Sequence, residues 1–321
     1  MSVKKIFQQI LLLLYCGLIM VIAGFMLLSF PIGSYTVFNT DIGGAITYEY
    51  PISSLNSLYL PFTFNIGNIF IILWCIYLSL FSILLFKSKN ILYALLYAIQ
   101  SSSHPYNNKL AMSIVWFSIL FIGSKSINLI QQHFGIDIGS LNEDNLLLQF
   151  FGLSIAPLLE ESIFRVILIG LPVYLFLINK RFNINELLRV LWNPFAHLPF
   201  TKISYAIILV SSIIFGLLHI ATGWNYGKLS QATFAGIILG YVYYRYGLHA
   251  SIILHWSANY FLVAYGLFSS IIYGFTWNEP SNNPLLSWLD ILLTAISIIA
   301  LSIYSYKLIT RFGMSIKYEG S

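Results

Sequence analysis

The residues best suited to chemistry stand in three short groups, each within an apolar stretch of the chain. The first group contains two adjacent acids, Glu160 and Glu161, followed by Arg165. On a helix, Glu161 and Arg165 would lie one turn apart with the acid on the N-terminal side, which is the better orientation for an ion pair. Glu160 would point about 100° away from that pair. One carboxylate can therefore be structural while the other stays free to exchange protons.

The second and third groups place an imidazole four residues from another side chain. Phe215 and His219 would share one helical face, and His255 and Asn259 another. A lone histidine near a helix end is more often an interfacial, hydrogen-bonded residue, and a histidine–asparagine pair can simply bridge two membrane helices. Pro157 lies just before the acids and is expected to loosen the helix there, because proline removes a backbone hydrogen bond.

A metal-dependent chemistry is a further option. Glu160, His219 and His255 make up a candidate zinc set, with water as the fourth ligand. The HExxH pattern is absent, and no two of these candidates would share a helical turn. The sequence leaves open whether water would be activated by a divalent metal such as zinc or by a carboxylate alone.

The elements that position these groups must be membrane helices, because the composition provides little polar surface. The 321 residues are 58% hydrophobic and 8% charged, with a mean hydropathy of +0.81, whereas soluble chains are about a quarter charged. This composition excludes a disordered chain, a disulfide-rich protein and a soluble nucleic-acid binder. Cys16 and Cys75 both lie in apolar runs and have no spacing typical of a bridge or a metal site.

A membrane-crossing helix needs about 20 mostly apolar residues. Eight segments meet this rule, so the expected fold class is all-α, a polytopic membrane bundle of about eight transmembrane helices. The first is expected to be a retained anchor, since it is too long for a signal peptide and no small-residue cleavage site follows it. The segments are residues 6–30, 65–86, 109–130, 148–178, 203–221, 229–244, 250–274 and 285–309.

The distribution of basic residues predicts the orientation, because positive charge accumulates on the cytoplasmic side of a membrane. Thirteen bases fall on one side of the predicted bundle and only Lys228 on the other, so both termini are expected in the cytoplasm and the membrane is expected to be the cell membrane. The thirteen are Lys4, Lys5, Lys87, Lys89, Lys109, Lys180, Arg181, Arg189, Lys202, Arg245, Lys307, Arg311 and Lys317.

Other segments carry more local expectations. Residues 31–64 are predicted to form a solvated external loop, and residues 180–200 an amphipathic helix at the interface. Lys125 and the three charges of the first group lie inside predicted passes, so each is expected to find a partner or reach the interface. The sixth pass has only about 16 residues, and at about 1.5 Å per residue His255 would be too shallow to meet Glu160 and His219. The turn before His255 is therefore expected to be submerged and covered by protein or water.

The three groups, in this order and on three separate passes, resemble the EExxxR, FxxxH and HxxxN motifs of the CPBP family of intramembrane proteases. This family includes type II CAAX prenyl endopeptidases and bacteriocin-immunity relatives. The resemblance marks residues 145–275 as a catalytic core. Residues 1–140 are then N-terminal transmembrane helices without an assignable motif, and residues 276–321 are the last helix and a cytoplasmic tail.

The resemblance implies an endopeptidase that cleaves a membrane-embedded or prenylated peptide or protein in a conical, cytoplasm-facing cavity. It implies Glu160 as general base, His219 as the residue that orients water, and His255 with Asn259 as the oxyanion hole. The Glu161–Arg165 pair would brace the helix, with Phe215 packed under His219. These side chains are of the types that peptide hydrolysis needs to activate water, protonate the leaving amine and stabilise the oxyanion. The family is often described as metalloendopeptidases.

Two other functions compete with this interpretation, and neither involves nucleic acid. Buried acids and histidines also relay protons in transporters, although the inverted repeats common in such carriers are not visible here. A non-catalytic scaffold or immunity protein could retain the same helices. Such a protein would not need Glu160, His219, His255 and Asn259 together.

Overall fold

The protein is a bundle of helices in the computed structural model, which describes residues 3–39, 66–86, 91–101, 108–139, 146–178, 182–273 and 286–302. No strand occurs in these ranges, which confirms the all-α fold class. The helices are α1 Val3–Asn39, α2 Ile66–Phe86, α3 Ile91–Ser101, α4 Lys109–His133, α5 Leu146–Glu161, α6 Leu171–Leu177, α7 Ile184–Trp192, α8 Lys202–Ala221, α9 Gly227–Tyr246, α10 Leu248–Trp256, α11 Leu262–Tyr273 and α12 Leu286–Ser302.

Within the described residues, five helical stretches are long and apolar enough to cross a membrane, as a polytopic membrane protein requires. The remaining predicted passes correspond to α5 with α6, to α9 and to α12, so a count of eight stays a prediction. The five stretches are Leu12–Phe38, Gly67–Tyr97, Lys109–His133, Lys202–Ala221 and Leu248–Tyr273.

Two π-helices interrupt the passes that carry the predicted site. Ser162–Gly170 joins α5 to α6 directly after the two acids, and Ser257–Phe261 joins α10 to α11. Such wide turns often occur at functional sites. Pro157 lies inside α5, which stays α-helical to Glu161, so the departure from α-helical geometry follows the acids and does not occur at the proline.

Several predicted boundaries were wrong. Helix α1 continues through Pro31 to Asn39, so the predicted external loop begins later, and residues 40–64 lie outside the described ranges. Helix α3 was not predicted. Helix α9 has 20 residues, about 30 Å of helix, so the predicted short sixth pass is wrong.

The predicted burial of the turn between α9 and α10 is confirmed, although the reason differs from the expected one. Gly247 makes this turn with a φ of 99°, a backbone conformation that residues other than glycine rarely adopt. His249 follows and is only 1% exposed. Its ring stacks on Trp192 of α7 at 5.3 Å between centroids. Packing of α7 against the turn therefore covers it.

Within the predicted amphipathic segment 180–200, residues Ile184–Trp192 fold as α7, whose first turn is capped by the Asn183 side chain. Leu187 and Val190 are buried, whereas Leu188 is 58% exposed. This confirms an amphipathic helix, and its position at a membrane interface stays a prediction.

An aromatic column fixes the rotation of the helix that carries His255. Trp256 is fully buried and stacks on Phe30 at 4.8 Å and on Tyr77 at 5.5 Å. One turn later, the Tyr260 hydroxyl donates to the Ser29 carbonyl at 3.1 Å. Because these contacts hold Trp256 against α1 and α2, the neighbouring His255, about 100° away around the helix, faces Glu161 of α5.

Candidate active site

The centre of the site is Glu161, which is completely buried together with Arg165. Arg165 Nε donates to Glu161 Oε2 at 3.0 Å, and the Ser251 hydroxyl donates to the same oxygen. The other oxygen, Oε1, lies 2.9 Å from His255 Nδ1. The carboxylate thus has three partners from two passes, which is how a buried charge is made tolerable in an apolar bundle.

These contacts confirm the predicted Glu161–Arg165 ion pair and extend its role. Glu161 also orients His255 by accepting a hydrogen bond from its Nδ1–H group, so the pair does more than brace its own helix. Ser251 was missed by sequence reasoning. The available signal was its spacing, since Ser251, His255 and Asn259 repeat every four residues along one helical face.

Glu160 differs sharply from its neighbour. Its side chain is 29% exposed, and Oε2 lies 3.6 Å from His255 Nε2. That distance is longer than a direct hydrogen bond. Within the described part of the chain, this buried oxygen has no hydrogen-bond partner. Glu160 is thus close to an imidazole but keeps an unused acceptor.

His219 is held by its own helix. Its Nδ1 lies 2.8 Å from the Phe215 carbonyl oxygen. A carbonyl only accepts, so Nδ1 carries the proton and Nε2 of the neutral ring offers a lone pair. The Phe215 ring lies edge-on to His219 at 4.6 Å between centroids, which confirms the predicted packing.

Phe215 also links the separate groups. Its ring centroid lies 6.1 Å from that of His255 and 5.4 Å from the Arg165 guanidinium carbon. Helix α8 can place this ring because Gly216 lets it approach α9 closely. A Cβ at Gly216 would lie 2.8 Å from the Leu229 carbonyl oxygen. The three sequence groups therefore meet around one aromatic ring.

A cavity of about 200 Å³ lies beside these residues. Three of the predicted site residues, His219, His255 and Asn259, line it, and Asn259 Nδ2 is 3.4 Å from His255 Nε2. Glu160 adjoins the cavity through His255 and does not itself line it. The remaining lining residues are Phe117, Leu120, Phe121, Ser124, Phe215, Lys228, Gln231, Ala232, Ala235, Leu239 and Ala258.

The cavity lies towards the end of the bundle where α8 ends and α9 begins. The opposite end is sealed: Lys109 Nζ donates to the Tyr246 carbonyl at 2.6 Å and lies 3.2 Å from His249 Nε2. Between Lys109 and the site, eight side chains from α4, α9 and α10 are completely buried. They are Leu110, Ala111, Ile114, Val242, Tyr243, Ala250, Ser251 and Leu254.

The candidate zinc set is not brought together. Among the described residues, no three His, Cys, Asp or Glu side chains lie close enough to hold a metal ion. Glu160, His219 and His255 therefore do not form a metal-binding group in this arrangement, and the metalloendopeptidase description is not supported.

Lys125, the other base predicted inside a pass, pairs with Asp290 of α12 at 2.7 Å. Its side chain is 48% exposed. It takes no part in the site.

The fold and the site together define a multi-pass helical membrane protein in which carboxylates and imidazoles from three passes meet inside the bundle. Residues 142–261 match the family model described as Type II CAAX prenyl endopeptidase Rce1-like. This part of the chain is therefore similar to a CAAX protease-like family, and it contains all six predicted site residues. Neither the search of curated proteins nor that of solved structures found a match.

Proposed function

We propose that the protein is an intramembrane endopeptidase with Glu160 as its general base. The observation that carries this proposal is the contrast between the adjacent acids. Glu161 is fully occupied by Arg165, Ser251 and His255, whereas Glu160 has an unpartnered oxygen 3.6 Å from His255. A partly exposed carboxylate with an unpartnered oxygen, beside a cavity lined by two histidines, is suited to accept a proton from water.

The proposed reaction begins with a water between Glu160 and the substrate carbonyl. Glu160 takes one proton as the water oxygen bonds to the carbonyl carbon, and His219 Nε2 accepts the hydrogen bond of the second O–H. The C–N bond then breaks as the proton held by Glu160 passes to the leaving amine. The products are a carboxylic acid and a free amine, so atoms and protons balance.

The oxyanion of the intermediate would be stabilised by His255 and Asn259. Nδ1–H of His255 is already donated to Glu161, so donation from Nε2 requires the imidazolium form. Asn259 Nδ2, which lies 3.4 Å from that nitrogen, is the second proposed donor.

The decisive experiment is cleavage of a fluorogenic peptide by the purified protein, in prenylated and unprenylated forms. Glu160→Gln removes the base with almost no change of shape and should abolish cleavage. Glu186→Gln, the same change on α7 away from the site, serves as the matched control and should retain it. Full activity of Glu160→Gln would refute the assigned role, and the ratio of the two cleavage rates shows whether a prenyl group on the substrate matters.

Metal dependence is tested separately, because the predicted ligands do not converge. We expect the cleavage rate to be the same without additions, after treatment with a chelator, and after zinc is added to the treated protein. Loss of activity with the chelator and its return with zinc would show that Glu160 and the histidines rearrange to hold an ion.

The orientation in the membrane follows from the two ends of the bundle. Lys109, Arg189, Lys202 and Arg245 lie at or near the sealed end, and the rule for positive charge places that end in the cytoplasm. The cavity is at the other end. The predicted cytoplasmic termini and the predicted cytoplasm-facing cavity are therefore incompatible, and we favour a cavity open to the extracytoplasmic side.

Cysteine labelling with a membrane-impermeant maleimide distinguishes the two orientations. In a Cys75→Ser background, Tyr226→Cys reports the cavity end, Ser124→Cys the cavity and Asn185→Cys the sealed end; Cys16 is buried. Intact cells should label Tyr226→Cys and Ser124→Cys, whereas Asn185→Cys should need permeabilised cells. The reverse pattern would place the cavity in the cytoplasm.

A further inference from the structure

Helix α7, at the sealed end of the bundle, has an apolar face that stays exposed in the described part of the chain. Ile184, Leu188 and Trp192 are exposed and follow one another every four residues, within about 80° of rotation around the helix. A different face packs into the protein through Leu187 and Val190, which are buried. The exposed apolar face is therefore additional to the one that α7 uses to join the core.

Two buried tyrosines hold α7 in this orientation. At its start, the Tyr174 hydroxyl of α6 donates to the Asn183 carbonyl and accepts from the Asn183 amide, both at 3.1 Å. At its end, the Tyr243 hydroxyl of α9 donates to the Leu191 carbonyl at 2.9 Å. Both tyrosines are completely buried. The helix therefore cannot roll to cover its apolar face without breaking these contacts.

The third face of α7 and its surroundings are cationic. Arg189 lies in the last turn of α7, about 60° beyond the apolar face. Arg245, at the end of α9, lies with its guanidinium carbon 3.7 Å from the centroid of the Phe195 ring, just past the end of α7. A guanidinium covered by a ring keeps the N–H groups at its edge for hydrogen bonds. Both arginines are exposed, and within the described ranges neither forms an ion pair with an acid, Glu186 of α7 included.

The length and composition of α7 decide where such a helix can lie. Its nine residues make about 14 Å of helix, too short to cross about 30 Å of hydrocarbon. Its exposed Asn185 and Arg189 cannot be placed in hydrocarbon without partners. A short helix with an apolar face beside a charged one is accommodated in the plane of the membrane surface, where acyl chains cover the first face and headgroups meet the second.

The apolar face of α7 also continues the apolar surface of a membrane pass. Leu175 and Phe176 at the end of α6 are exposed, and the exposed Phe182 lies edge-on to Tyr174 of α6 at 6.1 Å between centroids. Exposed apolar side chains thus lead from α6 onto α7. The same medium, the acyl chains of the bilayer, covers both.

We propose that α7 lies on the membrane surface and, together with Arg189 and Arg245, forms a binding surface for anionic phospholipids. Ile184, Leu188 and Trp192 contact the acyl chains, and the two guanidinium groups bind phosphate oxygens, with which arginine forms charge-assisted hydrogen bonds. Because no acid pairs with these arginines, their charge favours headgroups with a net negative charge. This inference is independent of the proposed function.

The test measures which phospholipid surrounds α7 in the full-length protein. A bimane fluorophore is attached at Leu188→Cys in the Cys75→Ser background, and the protein is placed in equal mixtures of phosphatidylglycerol and phosphatidylcholine. Either one lipid or the other carries bromine, a contact quencher, on its acyl chains. We expect phosphatidylglycerol to be enriched about fivefold at the label, the effect of one basic residue at an anionic membrane surface. Replacing both arginines by glutamine should remove the enrichment, and replacing both by lysine should retain most of it.

Two controls accompany this measurement. The same label at Leu209→Cys, an exposed position on α8, should be quenched equally by the two lipids. Lys228→Gln removes a positive charge at the opposite end of the bundle and should leave the enrichment at α7 unchanged.

Equal quenching by both lipids at Leu188→Cys, or an enrichment that survives the loss of both arginines, would overturn the proposal. Quenching by neither lipid would show that water, a second copy of the chain or another protein covers α7, and would overturn it as well. The measurement involves no peptide cleavage, so its failure would leave the proposed function standing.

Discussion

The two sides of the site are built on different principles. On the sealed side, Glu161, Arg165 and Ser251 are fully buried, and every oxygen of the carboxylate has a partner. On the cavity side, Glu160 is partly exposed and has an oxygen without one. His255 belongs to both, since Nδ1 faces Glu161 and Nε2 faces Glu160. Glu161 therefore fixes the position of His255, whereas Glu160 keeps an oxygen that can accept a proton.

The largest effect is expected from the cavity side. Glu160→Gln should lower the rate of peptide cleavage by about 10²–10⁴-fold, the usual contribution of a general base, while thermal unfolding of the protein in detergent stays unchanged. The rate is measured at saturating peptide to separate chemistry from binding. A large loss of thermal stability would mean that both acids are structural.

The opposite outcome is expected for Glu161→Gln. Removal of one partner from a buried ion pair leaves the other charge uncompensated and costs about 3–5 kcal/mol in the free energy of unfolding. Reversible denaturation of the purified protein measures this. The double variant Glu161→Gln with Arg165→Met should have a higher free energy of unfolding than the single variant Glu161→Gln, because no unpaired buried charge remains. Purely additive losses would argue against the pair.

A smaller catalytic effect is expected at Asn259. Replacing it with alanine removes one proposed oxyanion donor and should lower the maximal rate by about 10²–10³-fold with little change in KM. Asn185→Ala, an exposed asparagine on α7, is the control. A change confined to KM would indicate that Asn259 binds substrate and does not stabilise the intermediate.

The smallest effect is expected at Ser251. Ser251→Ala removes a single hydrogen bond to Glu161, which in membrane helices is worth about 0.6–2 kcal/mol, so a modest loss of stability should accompany a reduced but measurable rate. Ser257→Ala, one helical turn and two residues further on, does not contact Glu161 and should leave the rate unaltered. Complete inactivity of Ser251→Ala would give this serine a direct role in the reaction.

The ion pair and the aromatic packing were predictable because their determinants are local. Glu161 with Arg165, and Phe215 with His219, are four residues apart, and helical geometry alone brings such residues together. The helical class followed equally from composition, since only helices satisfy the backbone within a long apolar segment. The end of α1 was misplaced because the helix continues through Pro31, whereas the ends of α9 differ from the predicted ones by two residues, within the usual uncertainty of helix boundaries.

The sequence by itself determined which residues are available for chemistry and that they sit on apolar helices. Only the tertiary structure decided that His255 is held by Glu161, that the zinc candidates do not form a metal-binding group, and that the cavity lies at the end opposite Lys109, Lys202 and Arg245. Each of these depends on the relative rotation and depth of separate helices. That alignment is set by contacts such as those of Trp256 and Gly216, between residues distant in the chain, and no spacing along one helix records it.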